Sequence, residues 1–400
     1  MAQLFTDWHQ GIARSRADSQ GFSNLINCDV HSEMGYISPQ LALAADGSAN
    51  VPTEPCLFTK TPLGTIYAFS TTTGKIWKYT GSWTAVTANT NTAHKGCLYY
   101  NGYVYYATST KLGRFVAETE TRTPNGTTGT GSTCGDNWWT FSNTSNYRPM
   151  EEVNLTLYIG NGKDVVSVGT GTGTGVIINN SALDCPVNFT VTALARVGVD
   201  LLIGTVVGSQ VNTSSVFLWD CQSDSWTVED TIPEVWINCF IKNDDILFAQ
   251  CGTQGQLYYW NGSAMVRFRK IPGITTGIAP YNTTNVNGRC LFAAQGKVFS
   301  IHREDQDLPY ALVQEYTATT GSINSLATYG STLFASTGTI INKTGTDYAN
   351  AEIYTPELGG NMDKVTVYYD SFPNGTSIDI ATMIDNSYGD DSFDSSSCLA

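Results

Sequence analysis

The densest group of ionisable residues in the chain is His302-Arg303-Glu304-Asp305. A histidine beside carboxylates can move protons. This run, however, follows the alternating stretch Lys297-Val298-Phe299-Ser300-Ile301 directly and reads as a charged turn at a strand end. Two carboxylate pairs, Glu151-Glu152 and Asp244-Asp245, would suit glycoside hydrolysis if both groups faced one substrate. Adjacent residues of a strand point to opposite faces, so neither pair makes that arrangement by itself; inter-strand turns are the other placement. The four histidines, His9, His31, His94 and His302, share no metal-ligand spacing, and neither HExxH, CxxC nor GxSxG occurs. The tracts 169–175 and 125–132 are rich in Gly and Thr but lack GK[ST] and a following helix, so they read as loops rather than phosphate cradles. The run 385–391 resembles a calcium loop in part, without flanking helices or the closing Glu, and reads as a solvated acidic tail. The expectation is therefore no catalytic, cofactor-binding or metal-ligating residue, and no enzyme.

The elements that would position any site are set by a repeat. A four-residue phrase recurs seven times: an aliphatic, Thr or Cys residue, a bulky apolar one, an aromatic or Ile, then Ala or Gly. It ends at Ala68, Ala107, Gly160, Gly204, Ala249, Ala293 and Ala335, at intervals of 39, 53, 44, 45, 44 and 42 residues. Repeats of that length built from short strands indicate a β-propeller. A second strand follows each phrase after a polar turn, as in Lys75–Tyr79, Val216–Trp219, Gln256–Trp260 and Lys297–Ile301. Turns such as Asn261-Gly262 supply the positive φ that hairpins need. The small fourth residue is expected on inner strands crowded near the axis. The blades are placed at 54–90, 92–122, 148–184, 186–230, 235–270, 284–317 and 322–354, with a long Gly/Thr/Ser/Asn-rich loop from Thr121 to Ser145 before the third. Six blades, or two unequal sheets, remain alternatives.

Composition narrows the classes. Charged residues make up 14 % of the chain, against about 25 % in typical proteins. Thr, Ser, Asn and Gly fill the polar positions, and the one candidate helix lies within 5–17. The net charge of −14 argues against a general nucleic-acid-binding face. A passage through which DNA slides without adhering stays compatible with it. The first residues lack the pattern of a signal peptide, and no apolar run approaches the roughly 18 residues of a membrane span. The ten cysteines are scattered and are expected to be reduced.

The ends differ from the repeats. Residues 1–20 carry Trp8, His9, Arg14, Arg16 and Asp18 with few strand signals, and read either as a loosely packed terminus or as an arm that docks on a neighbouring subunit. Residues 22–45 read as two strands, one of which is expected to complete the last blade and close the ring. The domain plan is an arm (1–20), a propeller (21–355) and a small β-sandwich-like module with an acidic Ser-rich tail (356–400). In that module Lys364-Val365-Thr366-Val367-Tyr368-Tyr369 alternates, and Phe372-Pro373-Asn374-Gly375-Thr376 turns into Ser377-Ile378-Asp379-Ile380. Its edge residues Val365, Val367 and Tyr369, with Trp8, Arg14 and Arg16 of the arm, are the candidate assembly residues.

The passage from Met362 to Ile380 resembles the strand–turn–strand segment near the end of many bacteriophage tail proteins. These include hub and nozzle components whose propellers hang on a ring around the DNA channel. The layout of residues 20–380 is similar in outline, and the specific match is confined to 362–380. The resemblance implies a non-enzymatic virion protein of the tail, made in the host cytoplasm. Its partners would be other tail proteins and its own copies in a six-fold ring, with DNA only in transient passage and host-surface contact left open. No functional residue carries over. The competing readings are a glycan- or receptor-binding propeller and a propeller glycoside hydrolase. The first would expose Trp and Tyr on one face. The second would cluster arginines and carboxylates in a pocket.

Overall fold

The computed structural model describes residues 24–30, 37–86, 93–122, 134–170, 176–208, 213–243, 246–271, 273–275, 283–286, 289–302, 310–354, 383–384 and 387–388. Among these there are strands and turns and no helix. The candidate helix within 5–17 lies outside the described residues.

Seven sheets make seven blades, and the first five are antiparallel, each of four strands in chain order. Blade one is Cys56–Lys60, Ile66–Ser70, Ile76–Tyr79 and Trp83–Val86. Blade two is Gly96–Tyr100, Tyr103–Ala107, Lys111–Val116 and Gly135–Thr140. Blade three is Met150–Val153, Thr156–Asn161, Asp164–Thr170 and Val176–Asp184. Blade four is Phe189–Val197, Asp200–Val207, Ser214–Trp219 and Val228–Ile232. Blade five is Ile237–Asn243, Ile246–Cys251, Gln256–Trp260 and Met265–Lys270. Blade six begins Thr283–Val286, Arg289–Ala294, Lys297–His302 and Ala311–Thr317, and blade seven begins Ser325–Tyr329, Thr332–Ser336 and Ile341–Tyr348. The first strands touch one another in sequence, and that of blade seven touches that of blade one, so the ring is closed. The chain is a seven-bladed β-propeller, and the six-blade alternative is excluded.

The recurring phrase sits on the second strand of every blade, not on the innermost one. Its small residue is set by the neighbouring blade rather than by the axis. A Cβ added to Gly204 would lie 2.7 Å from Ile237 Cγ2 and 3.2 Å from Phe240 Cζ, both on the first strand of blade five. A Cβ on Gly160 would lie 2.8 Å from Pro149 Cδ, at the start of its own blade's first strand, and 3.0 Å from Val191 Cγ1 of blade four. The second strand is buried on both faces, which explains its unbroken apolar run. Aromatic side chains fill the seams. Trp83 and Tyr79 of blade one pack on Phe334 of blade seven with ring centroids 5.8 and 4.8 Å apart. Each such ring contributes roughly 1.5–3 kcal/mol by burial alone.

Two sequence expectations change here. The stretch 121–145 is not one loop, because Gly135–Thr140 forms the fourth strand of blade two with Trp138 fully buried. The N-terminal region supplies strands to two blades rather than one. Leu41–Ala45 pairs with Ile341–Tyr348 and completes blade seven, as expected. Asn24–Ile26 adds to blade six, parallel to Ala311–Thr317, and Glu352–Tyr354 then pairs with it antiparallel. Blade six thus has six strands.

The chain divides into two compact units, Met1–Glu357 and Leu358–Ala400. In the second, Met383–Ile384 pairs with Ser387–Tyr388. The sandwich strands read at 364–380 lie outside the described residues.

Candidate functional site in the central channel

The first strands surround a central cavity of 390 Å³. Register defines its rings. The residues opposite the small residue of the phrase are Phe58, Gly96, Pro149, Ala193, Phe240 and Leu326 in blades one to five and seven. Strand side chains repeat every two residues, so the residue two further on faces the same way. Those residues are Lys60, Leu98, Glu151, Ala195, Lys242 and Thr328, and all six line the cavity, as does Thr284 of blade six. Phe58, Phe240 and Leu326 are buried in the seams between blades, and the residues two further on put two lysines and one glutamate on the cavity wall.

The charged tier is open to water where it must be. Lys60 and Lys242 are exposed, and Lys60 Nζ lies 3.4 Å from Thr328 Oγ1 across the seam with blade seven. Glu151 is half-buried. Burial pushes its carboxyl up to about 7, with neighbouring Glu152 adding to the rise. The Lys242 charge, a hydrogen bond from the Arg196 backbone and the Arg196 charge pull the other way. Arg196 also lines the cavity, with its Nε donating to Gly198 O at 2.8 Å. Glu152 does not line it, so the Glu151-Glu152 pair divides between two faces as the strand period requires. The lining can attract an anion through Lys60, Arg196 and Lys242. It does not oppose two carboxylates.

Other buried ionisable groups are committed to the scaffold. Arg148, fully buried, donates to the carbonyls of Thr108, Ser109, Asn143 and Gly160 and to Asn161 Oδ1 at 2.6–3.3 Å, with its guanidinium 3.8 Å from the Phe141 ring centroid. Arg114 lies between Trp138 and Tyr103, 4.1 and 4.4 Å from their ring centroids. Arg122 Nε pairs with Asp136 Oδ1 at 2.7 Å, and Tyr106 donates its hydroxyl to the same oxygen. His94 donates from Nδ1 to Ser70 O at 2.7 Å, and burial pushes its imidazole down to about 4, so it is neutral at pH 7. Arg289 Nη1 binds both Asp29 Oδ1 at 3.0 Å and Glu315 Oε1 at 3.1 Å, joining the N-terminal segment to blade six. The nine described cysteines are free thiols. Burial pushes Cys28 and Cys239 up to about 12, which leaves them unreactive packing groups.

The assembly residues expected from sequence, Trp8, Arg14, Arg16, Val365, Val367 and Tyr369, all lie outside the described residues. So do Asp244, Asp245, the loop residues 171–175 and the run 303–309. Among the described residues no group of three or more His, Cys, Asp or Glu could hold a metal ion, and no helix is long and apolar enough to cross a membrane. Sequence reasoning missed the charged tier. A signal for it exists: its members stand seven to nine residues before the small residue of each phrase.

No family model matches the sequence, and no curated protein matches it. Solved structures share its fold. A catalytically inactive virginiamycin B lyase from Staphylococcus aureus, solved with quinupristin, is 13% identical over 76% of this chain and 99% of that chain, with TM-score 0.56. A chain of the mitotic checkpoint complex is 12% identical over 80% of this chain and 97% of that chain, with TM-score 0.53. A β-propeller domain from Myceliophteria thermophila is 9% identical over 74% of this chain and 97% of that chain, with TM-score 0.52. At such identities the likeness is one of fold.

Proposed function

We propose that the chain is a non-enzymatic structural protein of a bacteriophage tail, a hub, nozzle or tip propeller that assembles with neighbouring tail proteins in the virion. The observation that carries this reading is the Met362–Ile380 passage, with its strand–turn–strand pattern of Val365, Val367 and Tyr369 followed by Pro373-Asn374-Gly375-Thr376. Two further features support it. The buried ionisable groups outside the channel are spent on holding blades together, as Arg148 and Arg289 are. No described tryptophan is exposed: Trp77, Trp83, Trp138, Trp219 and Trp260 are buried and Trp139, Trp226 and Trp236 half-buried, so the described tryptophans serve mainly as blade core. A cavity of 390 Å³ suits a small molecule. The DNA passage of this reading therefore belongs to a ring of subunits and not to the propeller's own axis.

Light scattering of the purified protein over a range of concentrations, with residues 1–20 present or deleted, tests the proposal. A closed oligomer that requires the arm is expected. A monomer in both forms contradicts a self-assembling ring.

A further inference from the structure

An Asn-Gly pair can modify itself, because glycine has no side chain to shield its backbone nitrogen from the preceding amide. Such pairs stand at 101–102, 161–162 and 261–262 among the described residues. The fold treats them differently. Asn161 is fully buried; its Oδ1 accepts from Arg148 Nη1 at 2.7 Å and its Nδ2 donates to Ser142 Oγ at 2.9 Å. Asn261 is exposed, yet its Oδ1 accepts from Ser263 N at 3.0 Å, Ser263 Oγ at 3.1 Å and Ala264 N at 2.9 Å. Asn101 and Gly102 are both exposed, at the tip of the hairpin that pairs Tyr100 with Tyr103 in blade two. The Asn101 side chain makes no hydrogen bond with the described residues. Gly102 N donates to Tyr99 OH at 3.3 Å.

We propose that Asn101 is a self-modification site, converted to aspartate and isoaspartate in the folded chain ahead of Asn161 and Asn261. Gly102 N, its proton taken by hydroxide, attacks Asn101 Cγ. The new N–Cγ bond closes a five-membered succinimide. The Cγ–Nδ2 bond breaks, and the leaving nitrogen takes a proton from water and departs as ammonia. Water then opens the ring. Cleavage of the N–Cγ bond gives aspartate. Cleavage of the bond between Gly102 N and the Asn101 carbonyl carbon leaves the chain running through Cγ, which is isoaspartate. The sum is asparagine plus water to aspartate plus ammonia, with nothing oxidised or reduced.

Both residues of the tip have positive φ, 47° at Asn101 and 82° at Gly102, as a type I′ turn requires. The turn must open for the nitrogen to reach Cγ. At an exposed hairpin tip that opening is local and costs little. At Asn161 it would break the network that Arg148 makes, and at Asn261 it would break the hydrogen bonds that hold Oδ1. The product bears on the ring. A carboxylate appears where a neutral amide stood. Isoaspartate adds a backbone atom to the loop that sets Tyr100 against Tyr103. Tyr100 donates its hydroxyl to Leu155 O at 2.5 Å across the seam with blade three, so a displaced Tyr100 weakens that seam.

The test is to incubate the full chain at neutral and at alkaline pH, digest it, and map each Asn-Gly peptide by mass spectrometry, with the isoaspartyl form separated by chromatography. Asn101 is expected to react about tenfold or more faster than Asn161 and Asn261, and faster at alkaline pH, where more hydroxide is present to take the proton. The same chain in concentrated urea is the control. There the three pairs are expected to react at similar rates, because the fold alone distinguishes them. Asn101→Gly suits the positive φ and has no amide to cyclise. Aged wild type is expected to melt below fresh wild type, and aged Asn101→Gly to lose less. Asn161 or Asn261 keeping pace with Asn101 in the folded chain overturns the proposal. So does an Asn101 that stays intact while the chain in urea is converted. An equal loss of melting temperature in aged Asn101→Gly overturns the weakened seam. Each site is read separately in the purified chain, so the outcome does not rest on the tail assignment.

Discussion

Blades one to five and blades six and seven solve the same problem differently. Each of the first five is made from one continuous stretch of chain, four strands taken in chain order. Blades six and seven borrow strands from the other end of the sequence. Leu41–Ala45 lies outside Ile341–Tyr348, Asn24–Ile26 lies outside Ala311–Thr317, and Glu352–Tyr354 returns to cover Asn24–Ile26. Polar groups lock the borrowed strands. Arg289 grips Asp29 and Glu315, and Gln40 donates to Glu315 Oε2 at 3.2 Å. Asp46 accepts Trp83 Nε1–H at 2.9 Å and Lys343 Nζ at 2.8 Å, joining blades one and seven at the closure. A ring closed by long-range pairing makes its last contacts at the highest loop-closure cost, so its latches have more chain entropy to offset than the local seams.

That contrast can be broken most severely by removing residues 1–45, which deletes both borrowed strands and leaves blades six and seven with open edges. Loss of a cooperative thermal transition, and aggregation, are expected. A deletion that ends at residue 20 spares both strands and is expected to keep the transition. Next in size is Arg289→Met. It strands the carboxylates of Asp29 and Glu315, of which Glu315 is 1 % exposed, and about 3–5 kcal/mol should be lost in urea unfolding. The local seams respond less. Gly204→Val and Ala249→Phe overfill the contact between neighbouring blades at fully enclosed positions and should cost roughly 1–3 kcal/mol each. A wild-type melting temperature in both would contradict the placement of the phrase at the seams.

The two latches also titrate in opposite directions, which sharpens the comparison. Burial pushes the Glu315 carboxyl up to about 7, against the pull of Arg289 and the Ser300 hydrogen bond. Its folded value is raised above the unfolded value of about 4.3, so its contribution is complete below that pH and is lost as pH rises through about 7. Burial pushes Asp46 up too, but hydrogen bonds from Lys343, Ser48 and Trp83 outweigh it and hold the carboxyl below its usual range. Its contribution is present above the unfolded value of about 3.9 and is lost as pH falls through the folded one. Melting curves of Glu315→Gln from pH 4 to 8 should be flatter than those of the wild type on the alkaline side, with the acid limb unchanged. The smallest effect belongs to a purely local pair. Lys75→Ala removes a surface partner of Glu54 in blade one, and its melting curve should show a change of no more than about 0.5 kcal/mol.

The legible part of the fold was the part repeated under one constraint. Every second strand is buried on both faces and meets a neighbouring blade at its fourth residue, so selection by packing writes the same phrase seven times. The phrase was placed at the axis because crowding alone does not say which neighbour crowds. The strand Gly135–Thr140 was hidden by Gly, Thr and Asn on either side, although Trp138 and Trp139 marked it. The channel tier was illegible for the opposite reason. First strands such as Cys56–Lys60 and Met150–Val153 face an open axis there, so no packing partner imposes a common residue type on Lys60, Leu98 and Glu151. The Arg289–Asp29 latch spans 260 residues and leaves no local pattern at all.

Ring closure by the N-terminal segment is tested most directly by a cross-link. Ala44 and Lys343 are antiparallel Cα partners between the borrowed strand and blade seven. Such partners lie about 4.5–5.5 Å apart, within disulfide range. The double variant Ala44→Cys, Lys343→Cys is to be oxidised in the folded state, digested and read by mass spectrometry. Closure predicts one peptide joining positions 44 and 343, with a raised melting temperature that reduction reverses. A folded protein in which both thiols stay free, or pair elsewhere, would contradict it.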